Sequence, residues 1–374
     1  MNDSPQRILV IKSRHIGDVL LTTALIATLK AHYPDSRITA LVKRGTESML
    51  SANPHLEAVL TFPQREREEG AVAFGARGLR WFLALRRARF DWVINTTEGD
   101  RGVITAFLSG APKRTGLVRS EGDKRWRRWL LTEPMTSLPG NRHTVERNLD
   151  LIAGTIPDNW RREVVLVATA EAAARVEGLL REAGWDGAQP LAWIHPVARW
   201  YFKCWTHDGF ARTGDWLAQR GFAVVVSSGP DETGMAWSAE MLSRMNAPVL
   251  DLRGRLSLEE LSALAARCRF FVGVDSAPMH MAAAMGVPTL ALFGPSGAFD
   301  WGPWPNGWEG RTTPYPHRHG IQQAGKHLVV QQDWECVPCG KDGCKGSKRS
   351  DCLETLRFED VEPLLASRIK EILP

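Results

Sequence analysis

Residues 270–296 read FFVGVDSAPMHMAAAMGVPTLALFGPS, two continuously apolar runs joined through an Asp-Ser pair, a proline and a histidine. Parallel strands covered on both faces have this near-unbroken apolar character, so 270–274 is a predicted strand and Asp275-Ser276 stands where a helix begins. Pro278 falls in the first turn, where its missing N–H costs nothing. The free N–H groups of a helix start, with the helix dipole behind them, favour a phosphate by up to about 2 kcal/mol in partly buried geometry. Asp275 and Ser276 also suit simple helix caps. Capping does not account for His280, a turn further on.

Three more segments carry chemistry. Lys12-Ser13-Arg14-His15-Ile16-Gly17-Asp18 follows the first apolar run and lacks the glycine spacing of a dinucleotide fingerprint or a P-loop. It offers a flexible Gly17 and a carboxylate, Asp18, which can cap a helix or take a proton from an acceptor hydroxyl. The segment HPVARWYFKCW at 195–205 places Lys203 among aromatics after a predicted strand. A cation there can neutralise a departing diphosphate, or be a surface lysine. In SSGPDE at 227–232, Glu232 is placed either to bond a ribose hydroxyl or to sit at a helix start. Cys336, Cys339, Cys344 and Cys352 crowd a Gly/Lys-rich loop, and in a reducing compartment four thiolates read better as tetrahedral zinc than as disulfides, although the spacing is not that of a standard finger.

These residues need elements to hold them. Alternating signals predict strands at 8–11, 38–42, 58–62, 92–94 and 164–167, and helices at 18–33 and 170–183. After the turn-prone 184–187 the alternation restarts, with strands at 191–194, 223–227, 249–252, 270–274 and 289–293 and helices at 209–219, 233–245 and 258–267. The reading is an α/β fold of two doubly wound, Rossmann-like domains facing a central cleft: 1–186, 187–357, and a last amphipathic helix at 358–374 that can pack back on the N-terminal domain. The 374 residues suit two domains, and 44% hydrophobic with 24% charged residues suits a globular enzyme. No run has the roughly 18 apolar residues of a membrane span and the start lacks a signal-peptide pattern, so a cytoplasmic location is expected. The net charge of +5 is concentrated in Arg77, Arg80, Arg86, Arg87 and Arg89, and in Lys124, Arg125, Arg127 and Arg128 around Trp126 and Trp129. Such clusters meet phosphates, anionic headgroups or acidic sugars, or are solvated faces.

RILVIKSRHIGDVLLTTALIATLK at 7–30, HPVARWYFKCW, SSGPDE and VGVDSAPMHMAAAMGVPTLALFGPS, in that order, resemble the ADP-heptose:lipopolysaccharide heptosyltransferases, glycosyltransferases of the GT-B architecture. The resemblance spans nearly the whole chain. It implies inverting transfer of heptose from ADP-heptose to a heptose of a lipid A–core oligosaccharide, with no cofactor required for catalysis and no nucleic-acid partner. It places the catalytic aspartate on Asp18 beside Gly17, the phosphate-contacting lysine on Lys203, the ribose-binding glutamate on Glu232, and the diphosphate turn on Asp275, Ser276, Ala277 and Met279 with His280. Cysteines near the end recur in relatives, which makes these four look structural or metal-binding. Some relatives carry a histidine two residues after the aspartate; Leu20 stands there, as suits the third-enzyme branch. The acceptor, at the inner face of the membrane, is left to the first domain's cations, with Arg65, Arg67, Arg119, Lys124 and Arg125 as candidates and peripheral membrane contact expected. The competing expectations are a nucleotide-sugar epimerase or hydrolase on the same scaffold, and a non-enzymatic module binding anionic membrane or nucleic acid.

Overall fold

The computed structural model describes residues 4–118, 122–136 and 142–372. By internal contacts the chain divides into two units, 1–165 and 166–374.

The first unit runs β1 (Arg7–Lys12), α1 (Ile16–Leu21), α2 (Thr23–His32), β2 (Arg37–Val42), β3 (Ala58–Thr61), α3 (Ala71–Arg87), β4 (Trp92–Asn95), α4 (Asp100–Leu108), β5 (Lys113–Val118), α5 (Arg125–Leu130), β6 (Glu133–Thr136) and α6 (Thr144–Asp150). Its strands form a parallel sheet in the order β3-β2-β1-β4-β5-β6. Ile8 lies between Ile38 and Trp92, all buried, so the apolar run of β1 marks the sheet centre. The chain leaves β1 in one direction and β4 in the other. The crevice beyond the carboxyl ends of β1 and β4 is therefore a topological switch point, where doubly wound sheets bind ligands.

The second unit runs α7 (Ala170–Glu182), β7 (Leu191–His195), α8 (His207–Ala218), β8 (Ala223–Val226), α9 (Glu232–Leu242), β9 (Val249–Asp251), α10 (Leu258–Arg267), β10 (Cys268–Val274), α11 (Ala277–Ala284), β11 (Thr289–Phe293), α12 (Ala298–Trp301), β12 (Gln322–Ala324), β13 (His327–Gln331), α13 (Asp351–Glu354) and α14 (Phe358–Ile372). The sheet order is β12-β13-β11-β10-β7-β8-β9, parallel except for the β12–β13 pair. Its switch point lies at the carboxyl ends of β7 and β10, the strands that precede Lys203 and Asp275.

Four expectations change. The helix expected at 18–33 is two helices, because the hydroxyls of Thr22 and Thr23 bond back to the carbonyls of Val19 and Leu20 and break the run. Residues 164–167 form no strand, and the Val165 N–H donates to the Thr23 hydroxyl, not to a ladder. The boundary falls at 165/166 and not at 186, because α7 packs on α10. Finally, α14 sets Phe358, Val361, Leu365 and Ile369 into the core of the second unit beside α8, with Trp216 Nε1 donating to Glu362 at 3.0 Å.

Candidate active site

In the second unit, β10 delivers its chain to α11 through Asp275 and Ser276. Ser276 is the N-cap residue, yet its side chain makes no cap bond and its buried Oγ has no hydrogen-bond partner. Asp275 does not cap either: its Oδ2 lies 2.5 Å from Lys203 Nζ. The capping explanation of these two residues therefore fails, and the helix start keeps its donors. Burial raises the Asp275 pKa, but the charge and hydrogen bond of Lys203, with Ser296 and His280, outweigh it and hold the carboxyl below its ordinary value. Lys203 ends a short 3₁₀ turn (Tyr201–Lys203), and Trp200 flanks its ammonium 5.5 Å from the ring centre. His280 and Met279 are buried within the first turns of α11.

Glu232 opens α9 and is exposed, while the cap of that helix is Asp231, whose Oδ1 accepts from Gly234 N–H at 2.8 Å. Glu232 is thus relieved of capping. A chain that sequence reasoning did not find lies beneath: Trp193 Nε1 donates to Ser227 Oγ at 2.7 Å, and His195 Nδ1 meets the same oxygen at 2.9 Å. Burial pushes the His195 pKa down to about 4 against a backbone contact with Val197, so the imidazole is neutral near neutrality. Strand alternation of Trp193 and His195 was the available signal, since both point to one side of β7.

In the first unit, Asp18 lies in the first turn of α1, whose N-cap position is His15, so it is not the cap. Asp18 and Lys12 are both buried, with Lys12 Nζ 3.7 Å from Asp18 Oδ1 and 3.2 Å from the Thr96 carbonyl. Burial lowers the Lys12 pKa, Asp18 opposing and Arg147 and Arg14 adding to the fall. Gly17 is buried beside Asp18. The loop after β4 closes the site, Thr97 Oγ1 accepting from Ser13 N–H at 3.0 Å and Asn95 Oδ1 from Thr97 N–H at 3.2 Å. Lys12 as the partner of Asp18 was in the motif but not recognised.

Of the acceptor-side candidates, Arg65 is exposed with Nε on the Glu69 carbonyl, Arg67 and Arg125 are exposed, and Lys124 is 3.2 Å from Asp100. Arg119 lies outside the described residues. The cysteines give the zinc expectation no support. Cys336, Cys339 and Cys344 are near enough to act on Cys352, yet no group of three or more His, Cys, Asp or Glu among the described residues is arranged to hold a metal ion. Cys352 turns into the core, where burial first and its neighbours second push its thiol up to about 12, and Cys344 Sγ accepts from Asp351 N–H at 3.4 Å.

Two doubly wound units of this kind are the GT-B architecture, and solved structures share the fold. A glycosyl transferase of family 9 from Veillonella parvula superposes with a TM-score of 0.78 over 98% of this chain and 97% of its own, at 21% identity. The ADP-heptose lipopolysaccharide heptosyltransferase II of Escherichia coli gives 0.72 over 98% and 99%, at 22% identity. Residues 79–322 match glycosyltransferase family 9 (heptosyltransferase), and lipopolysaccharide heptosyltransferase 3 of Escherichia coli (strain K12) is 31% identical over 85% of this chain and 92% of its own length. The chain belongs to glycosyltransferase family 9, the heptosyltransferases. It is an enzyme of lipopolysaccharide biosynthesis, and these likenesses favour neither the epimerase or hydrolase nor the binding module. No helix among the described residues is long and apolar enough to cross a membrane.

Proposed function

We propose that the enzyme transfers a heptose from ADP-heptose to a heptose hydroxyl of the lipopolysaccharide inner core, with inversion at the anomeric carbon. The observation that carries the donor half is the Lys203–Asp275 pair at the uncapped start of α11. There the Lys203 ammonium and the α11 N–H groups meet the diphosphate, and their hold strengthens as negative charge grows on the leaving oxygen. Glu232, exposed at the mouth of the same strand ends, binds the ribose. His195, Ser227 and Trp193 fix the floor on which the base and sugar rest.

Asp18 accepts the proton of the acceptor hydroxyl as its oxygen attacks the anomeric carbon and the bond to the diphosphate breaks, releasing ADP. The family match begins at residue 79, so this role rests on the buried Asp18 with its Lys12 partner at the β1–β4 switch point and on the motif around it. Transfer needs base and leaving group on opposite sides of one carbon, so the reading requires Asp18 and Lys203 to act on the two substrates at once, with water kept from the reacting atoms. Arg65, Arg67, Lys124 and Arg125 are assigned to the acceptor's phosphates and acidic sugars.

The test is incubation with ADP-heptose and defined truncated lipopolysaccharides, reading product mass and anomeric configuration. One added heptose in the inverted configuration is expected. Release of free heptose on every acceptor, or a retained configuration, overturns the reading.

A further inference from the structure

The first unit has a second surface, which shares only Arg125 with the acceptor-side cations assigned above. On α3, Trp81, Phe82 and Leu85 pack inward, as a helix over a sheet should. The opposite stripe ought to be polar, yet Val72, Leu79 and Leu83 are 88%, 62% and 44% exposed. Arg80, Arg86 and Arg87 flank them, also exposed. On α4, Val103 and Ala106 face the core while Ile104, Phe107 and Leu108 face out at i, i+3 and i+4. On α5, Trp129 is 80% exposed, with Trp126 on the same side one turn earlier.

These surfaces are continuous. A groove of about 640 Å³ between α3 and α4 is lined by Phe74, Leu79, Phe82 and Ile104. The start of α5 is tied to that of α4 through Arg127 Nε on Asp100 at 2.7 Å. Eight of the eleven exposed large hydrophobics among the described residues lie on these three helices. The same helices carry eight arginines and a single acid, Asp100.

We propose that the outer face of α3, α4 and α5 docks on an anionic lipid bilayer. Aliphatic side chains ringed by arginines, with tryptophans at the margin, match the interfacial layer, where apolar groups enter the acyl boundary and guanidinium groups snorkel to the phosphates. A second copy of the chain is the poorer occupant, because like faces would set arginine against arginine. A nucleic acid would use the cations and leave Val72, Leu79 and Leu83 against water. The proposal rests on the reading above for the purpose of the docking, which is to bring the enzyme to a lipid-anchored acceptor.

The experiment is co-sedimentation of the full chain with vesicles of phosphatidylcholine alone, or with roughly a third phosphatidylglycerol. Binding to the anionic vesicles only, lost in about 0.5 M salt, is expected. The triple variant R80E/R87E/R128E should lower partitioning about tenfold or more. The pair L79S/L83S should lower it at low salt as well, and both variants should bind ADP as before by calorimetry. Equal binding to neutral and anionic vesicles, no binding at all, or a lipid-free dimer abolished by L79S/L83S would each overturn the proposal. Transfer to a deacylated, soluble acceptor separates the two claims. If it proceeds while vesicle binding fails, only the docking face is lost; if vesicle binding holds while no acceptor is ever glycosylated, only the transfer reading is lost.

Discussion

Asp18 and Lys203 each belong to a charged pair, so removing either has two consequences that can be told apart. Asp18→Asn should lower turnover about 100-fold or more with ADP affinity unchanged, as for a positioned proton acceptor. It also leaves Lys12 buried without its counter-ion, a change that in other buried pairs costs roughly 3 kcal/mol. The double variant K12M/D18N should therefore recover melting temperature but not turnover; recovery of both would reduce Asp18 to a structural role. Lys203→Ala should weaken ADP binding and slow transfer together, because in the proposed function the ammonium meets charge already present in the bound donor. Its pH behaviour gives an independent reading. With Lys203 present, the Asp275 pKa lies below its unfolded value, so the pair's contribution is present at neutral pH and lost only as pH falls through that lower value. Without Lys203 the burial effect wins, the Asp275 pKa rises above the unfolded value, and protonation favours the fold. The stability deficit of Lys203→Ala, followed by thermal unfolding, should narrow as pH falls from about 7 to about 5. A constant deficit would mean that Asp275 does not depend on Lys203.

The elements that position these residues were legible to different degrees. Phe270, Phe271, Val272 and Val274 are all buried, so the apolar run of β10 announced a central parallel strand, and β11 has the bounds read from sequence. Residues 164–167 have the same apolar character but pack without a ladder, and nothing in their composition says that Val165 N–H will find a threonine 142 positions away. The helix break at Thr22 depends on hydroxyl rotamers. The motifs supplied the chemical types of the site and not its pairs: Lys203 and Asp275 are 72 residues apart and meet only because β7 and β10 are neighbours. That adjacency is tight. A Cβ on Gly273 would stand 2.8 Å from the His195 carbonyl and 2.6 Å from the Phe271 ring, so only glycine lets β10 lie against β7 here. Gly273→Ala should cost about 2 kcal/mol by overpacking and, by parting the strands that carry Lys203 and Asp275, weaken ADP binding too. Denaturant melts and calorimetry would check both; loss of stability with wild-type affinity would show that the site tolerates the shift.

For the whole molecule, the two units should answer acid in opposite ways. His195 and His327 in the second unit are pushed by burial to about 4 and about 3. Unfolded, they take protons below about 6.5, so the stability they confer is complete above that pH and declines as pH falls toward the folded values. For His195 alone the full loss is about 3 kcal/mol. In the first unit, burial raises the pKa values of Glu146 and Asp150 despite Arg162 and Arg142, so folding there gains as pH falls. Scanning calorimetry from about pH 7 to about pH 5 should show the second unit melting progressively earlier than the first, and His195→Gln should flatten that trend. The open start of α11 makes the second unit's lifetime a matter of supply as well. A helix end that keeps a buried, unpartnered Ser276 hydroxyl and uncapped donors is steadier when an anion sits on it, and by mass action a ligand at a hundred times its dissociation constant adds about 2.7 kcal/mol. Protease resistance of residues 166–374 should climb with free ADP while the first unit is indifferent, so the enzyme would be cleared faster whenever that site stands empty.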